Sequence, residues 1–361
     1  MLCLPFLHNL AQYIMGKKEI THCVNSFDKI VKEIRVGKFR PFYLLMGEES
    51  YYSDVIIKEI EKSALSPEEK GFNYTVLYGG DVTAASVVEV ARRFPMMASR
   101  QLVILREAQL LNKLTDLEFY FRNPMSTTVL VISLTGKSVD KRTTLYKLAV
   151  ANGFVLESFS LYPDMVYSWI ERYLKTKGIS IVPEAAMLMA EHCGTELRKL
   201  VLELDKLITN LEEGSKQIGL KAIEENIGIS RDYNVFELTK AISFKEQKKA
   251  LKIAKHFGDS PKQFPLVLTM AALFSHFTRL LKYHSLHRSG ARPTKSQIAS
   301  HIGINPFFLP EYEYAVRNYS LIKCMEAISL IRKYDSKSKS SSRGEATDGE
   351  LLFEIVHKIL Y

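Results

Sequence analysis

Cysteine is scarce in this chain: Cys3, Cys23, Cys193 and Cys324 lie far apart and form no C-x-x-C pair. That spacing excludes a zinc module and a disulfide framework, and it sets the expectation of a reduced, cytoplasmic setting. No apolar run approaches the roughly 20 residues that cross a bilayer, so no membrane partner is expected. The N-terminal MLCLPFLHNLAQYIMGKKE is apolar for a few residues but has no basic n-region, because Lys17 and Lys18 follow the apolar part. A frayed or misassigned start, with Met15 as an alternative first residue, is expected in preference to a signal peptide. Internal repeats are missing too. The low-complexity piece 336–343 (SKSKSSSR) is polar and basic and reads as an exposed loop.

What the chain does have is a globular composition, with 361 residues, 47% apolar and 25% charged. That length suits two or three domains. The formal net charge of +9 suits an anionic partner, nucleic acid being one reading and a generic basic surface the other.

The first part alternates strand-like and helix-like segments. Apolar strands are expected at 40–46, 74–78, 102–106, 127–133 and 154–159, with helices at 53–63 (Ser53 as N-cap), 84–93 and 112–122. Near-continuous apolar strands alternating with helices indicate a parallel sheet covered on both faces. From about Tyr162 the pattern is helical throughout. Expected helices are 164–175, 183–192, 195–211 and 220–227, then 235–242, 244–257, 262–289, 294–302, 310–333 and 349–360. The expected fold class is an α/β N-terminal domain followed by a small helical domain and an all-α C-terminal domain, bounded at 22–161, 162–230 and 231–361.

The most informative stretch is 92–109, RRFPMMASRQLVILREAQ. Pro95 ends the preceding helix, because it lacks an N–H and disfavours helical geometry in the residue before it. Phe94, Met96 and Met97 then sit at a helix-to-strand corner, where connections usually run over the surface. Such a cluster is either tucked inward as core or held outward for a partner's pocket, and core is the default reading.

The end of the first strand is where an open α/β sheet usually binds ligand. A phosphate-binding loop there would read G-x-x-x-x-G-K-[ST]. This chain instead has Gly47-Glu48-Glu49-Ser50-Tyr51-Tyr52-Ser53-Asp54, without the second Gly, the Lys or its neighbouring hydroxyl. Two carboxylates at that mouth would repel a triphosphate. His284 and His287 share a helical face but lack a third ligand, so no metal site is expected. Ser230-Arg231 could serve as an arginine finger, with a plain interdomain linker the preferred reading. No nucleophile elbow or paired-acid signature occurs. Two basic segments remain: 278–295, with Arg279, Lys282, Arg288, Arg292 and Lys295, and 332–343. Clusters of this kind suit salt-sensitive phosphate-backbone contact, with a solvated face as the alternative.

In order and spacing the chain resembles the delta subunit of the bacterial DNA polymerase III clamp loader, from about Phe42 to Leu360. The landmarks are FYLLMGEE from Phe42, FPMMASRQ from Phe94, Asp140-Lys141-Arg142, Gly194-Thr195-Glu196-Leu197, ELDKL from Glu203, YNVFEL from Tyr233, YDSKSK from Tyr334 and Glu350-Leu351-Leu352. The resemblance implies an AAA+-like fold with a degenerate, non-binding nucleotide site at Gly47, Glu48 and Glu49, and a C-terminal collar. It implies no cofactor and no intrinsic catalysis, within a DNA-directed DNA polymerase holoenzyme (a nucleotidyltransferase complex). The partners it implies are the beta sliding clamp, the gamma/tau ATPase and delta-prime subunits in a hetero-pentamer, and primer–template DNA, in the cytoplasm near the nucleoid. The family's clamp-opening apolar pair maps onto Met96 and Met97, where many relatives carry Leu-Phe, within the set Phe94, Pro95, Met96, Met97, Arg100 and Gln101. Whether Arg100 and Gln101 touch the clamp or brace the strand stays open. The alternatives are an active AAA+ ATPase and a free-standing DNA-binding protein.

Overall fold

The computed structural model describes residues 3–212, 214–228, 233–288 and 293–361, with side chains described from residue 15 onward except at 287, 288 and 342. The chain divides into two compact units, Met1–Tyr162 with Glu196–Arg198, and Pro163–Thr195 with Lys199–Tyr361.

In the first unit, five strands form one parallel sheet: β1 (Phe42–Gly47), β2 (Tyr74–Tyr78), β3 (Gln101–Arg106), β4 (Thr128–Ser133) and β5 (Phe154–Ser158). Their order is β2-β3-β4-β1-β5, and every neighbouring pair is parallel. β1 and β4 are buried at all positions, which is why they read as unbroken apolar runs. Helices at Ser50–Ser63, Ala84–Ala91, Glu118–Arg122 and Thr144–Asn152 lie in the connections between successive strands. The last of these was missed, and the expected helix at 112–122 is a 3-10 turn at Leu114–Leu117 followed by a short helix. Leu44, Met46, Val103, Leu105, Leu130 and Ile132 form the centre of the core. Phe42 stacks on Phe121 at 4.1 Å, and a Cβ at Gly153 would fall 2.4 Å from the Phe42 ring.

One cap expectation for this unit fails. Ser53 is not the N-cap; the helix begins at Ser50, the cap is Glu49, and Ser53 is buried. Near the start, one helix runs from Cys3 to Arg35. It buries Ile20, Cys23, Val24, Ile30, Val31 and Ile34 and packs along Ser50–Ser63 and β5.

The second unit is helical. It opens with Pro163–Thr176 and Pro183–Cys193, and holds Leu220–Ile227 and the two-residue parallel strands Ser180–Ile181 and Gln217–Ile218. Strands that short carry no periodicity to read. Seven further helices follow among the described residues, from Val235–Ser243 to Asp348–Leu360, around Leu238, Phe257, Leu273, Phe277, Leu280 and Ile355. The expected helix 244–257 starts only at Gln247, after a left-handed turn at Lys245 (φ +57°). The expected helix 310–333 is two helices, because Ser320 caps a fresh start at Leu321 by accepting from the Lys323 N–H. The segment 336–343 is not simply a loop: the helix Leu321–Ser338 runs into it, and Arg343 pairs with Asp348 at 2.8 Å.

Candidate functional site

Between helix Ala84–Ala91 and β3 the chain passes through residues 92–100 without regular structure. Buried polar side chains fix its path. Gln101, the first residue of β3, donates its side-chain amide to the Arg93 carbonyl (2.6 Å) and to Thr128 Oγ1 (2.9 Å). Thr128 Oγ1 donates in turn to the Ala91 carbonyl (2.8 Å). The two side chains thereby satisfy carbonyls that a helix end leaves without partners. Asn73, only 3% exposed, holds Met96 from the other side. The Met96 N–H donates to Asn73 Oδ1 (2.7 Å), and Asn73 Nδ2 donates to the Met96 carbonyl (2.9 Å) and the Glu69 carbonyl (3.0 Å).

On this support the apolar side chains stand outward. Phe94 is 77% exposed, Met96 60% and Met97 fully exposed, so the inward reading of the corner does not hold. Met97 also has φ +51°. A left-handed backbone costs a non-glycine residue about 1–3 kcal/mol and persists where the surroundings impose it. Pro95 is half-buried. Arg100 is half-buried with its guanidinium 4.7 Å from the centre of the Phe39 ring. Gln101 is buried beneath the loop and offers a partner nothing; it braces the strand. Sequence reasoning missed Asn73, whose partner lies 23 residues away and leaves no local signal. It also missed the exposed ring of Phe72 beside it.

The mouth at the end of β1 is closed by backbone. The Gly47 N–H donates to the Lys137 carbonyl (3.0 Å), the Gly136 N–H to the Gly47 carbonyl (2.9 Å) and the Glu48 N–H to the Ser158 carbonyl (2.9 Å). Gly47 has φ +115°, and a Cβ there would lie 2.0 Å from the Ser158 oxygen. The helix N-terminus behind it, where a phosphate would dock, holds the carboxylate of Glu49, which accepts from the Tyr51 N–H at 2.9 Å. Burial raises the Glu49 pKa above the ordinary carboxylate value, against the opposing pull of that hydrogen bond. Glu48 accepts from the Ser160 N–H at 3.3 Å.

The basic positions divide. Arg279 is half-buried and donates to the Tyr312 hydroxyl at 3.4 Å, whereas Lys282 and Lys295 are exposed. Lys295 lines an open cleft of about 460 Å³ with Tyr283, His284, Glu313, Val316 and Arg317. Arg288 ends its helix but its side chain is outside the described set, and Arg292, Ser230 and Arg231 lie outside the described residues. His284 Nε2 is engaged by the Tyr319 carbonyl at 2.8 Å. Among the described residues no His/Cys/Asp/Glu group is placed to hold a metal ion, and no helix is long and apolar enough to cross a membrane.

Two family models match the chain: DNA polymerase III, delta subunit, over residues 43–159, and DNA polymerase III delta subunit, C-terminal domain, over residues 232–356. The chain belongs to the DNA polymerase III delta subunit family. DNA polymerase III subunit delta of Bacillus subtilis (strain 168) is 25% identical over 337 residues, covering 90% of this chain and 94% of that one. The probable delta subunit of Aquifex aeolicus (strain VF5) is 26% identical over 250 residues, 64% of this chain and 68% of the other. The solved structure of the Bacillus subtilis DNA clamp loader delta protein shares the fold, with a TM-score of 0.51 at 23% identity, over 92% of this chain and 99% of that one. In this delta-family chain the first matched region contains the Gly47–Glu49 mouth and the Met96–Met97 loop, and the second contains the basic positions of 278–295.

Proposed function

We propose that this delta-family chain is the clamp-opening subunit of a clamp loader, which captures the ring-shaped beta sliding clamp with Met96 and Met97 and does not hydrolyse ATP. One observation carries the reading: Met96 and Met97 are exposed on a loop whose backbone is held by the buried side chains of Asn73 and Gln101. Apolar side chains presented on a fixed backbone lose little freedom on entering a pocket, and the flexible thioethers of methionine adapt to its shape. Phe94, Pro95 and Arg100 frame the pair, and Gln101 supports it from below. Opening then requires that the pair bind the open clamp more tightly than the closed one, since a ligand shifts an equilibrium only by its preference between states.

The mouth of β1 supports the absence of hydrolysis, because Glu49 occupies the anion position and the loop lacks the phosphate-binding lysine. In this reading residues 22–161 are the clamp-binding AAA+-like domain, 162–230 a lid-type domain and 231–361 a collar. The collar joins gamma/tau ATPase and delta-prime subunits in a cytoplasmic, nucleoid-associated pentamer. The exposed Lys282 and Lys295 face primer–template DNA.

The test is calorimetric titration against the cognate clamp, with a Met96→Ala, Met97→Ala double variant alongside. The variant should lose about 2–4 kcal/mol of binding with unchanged thermal stability. Wild-type affinity in the variant would sink the assignment. ATP turnover by the isolated chain would favour an active ATPase, and tight duplex binding without other subunits would favour a free-standing DNA-binding protein.

A further inference from the structure

We infer that Asn73 is the positioning residue for the Met96–Met97 pair: one buried amide takes both backbone groups of Met96 and so fixes the direction in which the pair leaves the protein. The inference rests on the clamp-capture reading for its functional consequence, though not for its structural one. Asn73 accepts from the Met96 N–H at 2.7 Å and donates to the Met96 carbonyl at 2.9 Å, the pairing a neighbouring strand would supply. Its amide is shared with the Glu69 carbonyl at 3.0 Å, which ties the loop to the short helix Lys70–Asn73 ahead of β2.

Met97, the next residue, has φ +51° and its side chain in solvent, so no contact of that side chain holds the conformation. A strained backbone persists only where its surroundings over-determine it, and the grip on Met96 is the constraint immediately before it. Without that grip Met97 would relax into an ordinary basin, and the two thioethers would no longer project on a fixed path.

The test uses the full chain and two substitutions. Asn73→Ala removes all three hydrogen bonds. Asn73→Asp keeps the acceptor for the Met96 N–H but sets a carboxylate against the Met96 and Glu69 carbonyls. Hydrogen exchange of the Met96 amide is read by NMR, and clamp affinity by calorimetry across pH. In Asn73→Ala the Met96 amide should exchange at least about tenfold faster and clamp affinity should fall about tenfold, equivalent to about 1.4 kcal/mol.

Because Asn73 is buried, a general loss of stability could also weaken binding, and Asn73→Asp separates the two. Protonating its carboxyl restores a donor toward Met96, so its affinity should recover on acidification, a recovery that wild type and the Met96→Ala, Met97→Ala variant should not show. Wild-type exchange of the Met96 amide in Asn73→Ala, or wild-type clamp affinity in that variant, would overturn the inference. Unchanged affinity in the Met96→Ala, Met97→Ala variant would overturn clamp capture instead, and the amide exchange rate would still decide whether Asn73 holds the loop.

Discussion

Met97 combines a left-handed backbone with a side chain that makes no use of the core. Neither property helps the isolated chain fold, and the clamp-capture proposal gives both a use. Asparagine tolerates the same backbone region far better than methionine. Met97→Asn should therefore leave stability unchanged or raise it by up to about 1 kcal/mol, while clamp affinity drops at least about tenfold. Urea denaturation beside calorimetry checks both halves, and a loss of stability equal to the loss of binding would count against the assignment. The apolar corner was legible in the sequence because Pro95 marks the helix end and the FPMMASRQ string is specific. The residues alone left its orientation open, and only the family resemblance turned Met96 and Met97 outward, with Phe94 still free to point inward, whereas its ring is exposed as well. The orientation depends on Asn73 and Thr128, which are distant in sequence from Met96 and Ala91, and on Gln101 turning inward.

At the scale of elements, the β1 and β4 runs were readable because burial on both faces favours apolar residues along the strand, with Thr128 and Ser133 as polar ends of β4. The breaks at Lys245 and Ser320 were not, because a single left-handed residue or a new cap interrupts a helix without disturbing its apolar spacing. Three of these helices meet at a buried polar relay that the sequence also hid. Ser243 Oγ lies 3.2 Å from His276 Nε2 and donates to Glu311 Oε1 at 3.1 Å. Burial pushes Glu311 up to about 7 and His276 down to about 3. The two act oppositely on stability. As pH falls through about 7, folded Glu311 gains its proton before the unfolded chain does, which stabilises the fold until about 4.5. His276 stays neutral in the fold while the unfolded chain protonates below about 6.5, which destabilises it. Glu311→Gln removes only the first effect. The variant should exceed wild type by about 1–3 kcal/mol at about pH 7.5 and lose that advantage by about pH 4.5, as urea denaturation at both values would read. A constant difference across this range would contradict the relay.

For the whole molecule, the change from alternating strands and helices to helices alone at about Tyr162 was visible in the sequence, and the boundary between the two compact units falls at that point. The finer division into three domains has no such marker, because helix follows helix from there on. The net charge of +9 does have a location in the sequence, since 278–295 carries five cations and no acid and 332–343 five cations and one acid, which together equal the excess of the whole chain. A prediction at this scale concerns the isolated chain and nucleotide. Millimolar ATP with magnesium should leave its melting temperature unchanged, because a ligand stabilises only a state that binds it. A reproducible rise would reopen the β1 mouth as a nucleotide site.

That mouth also bears on how the chain can change. Glu49 satisfies the Tyr51 N–H, and the Ser158 and Lys137 carbonyls are spent on Glu48 and Gly47. Introducing the missing lysine alone would set a cation beside groups that already satisfy one another and would free no donor for a phosphate. Recovering a nucleotide pocket needs the cap removed and the loop reopened together, each costly without the other. If this mouth binds no nucleotide, as proposed, the chain's own hydrogen bonds would hold that state in place, as a mutational ratchet.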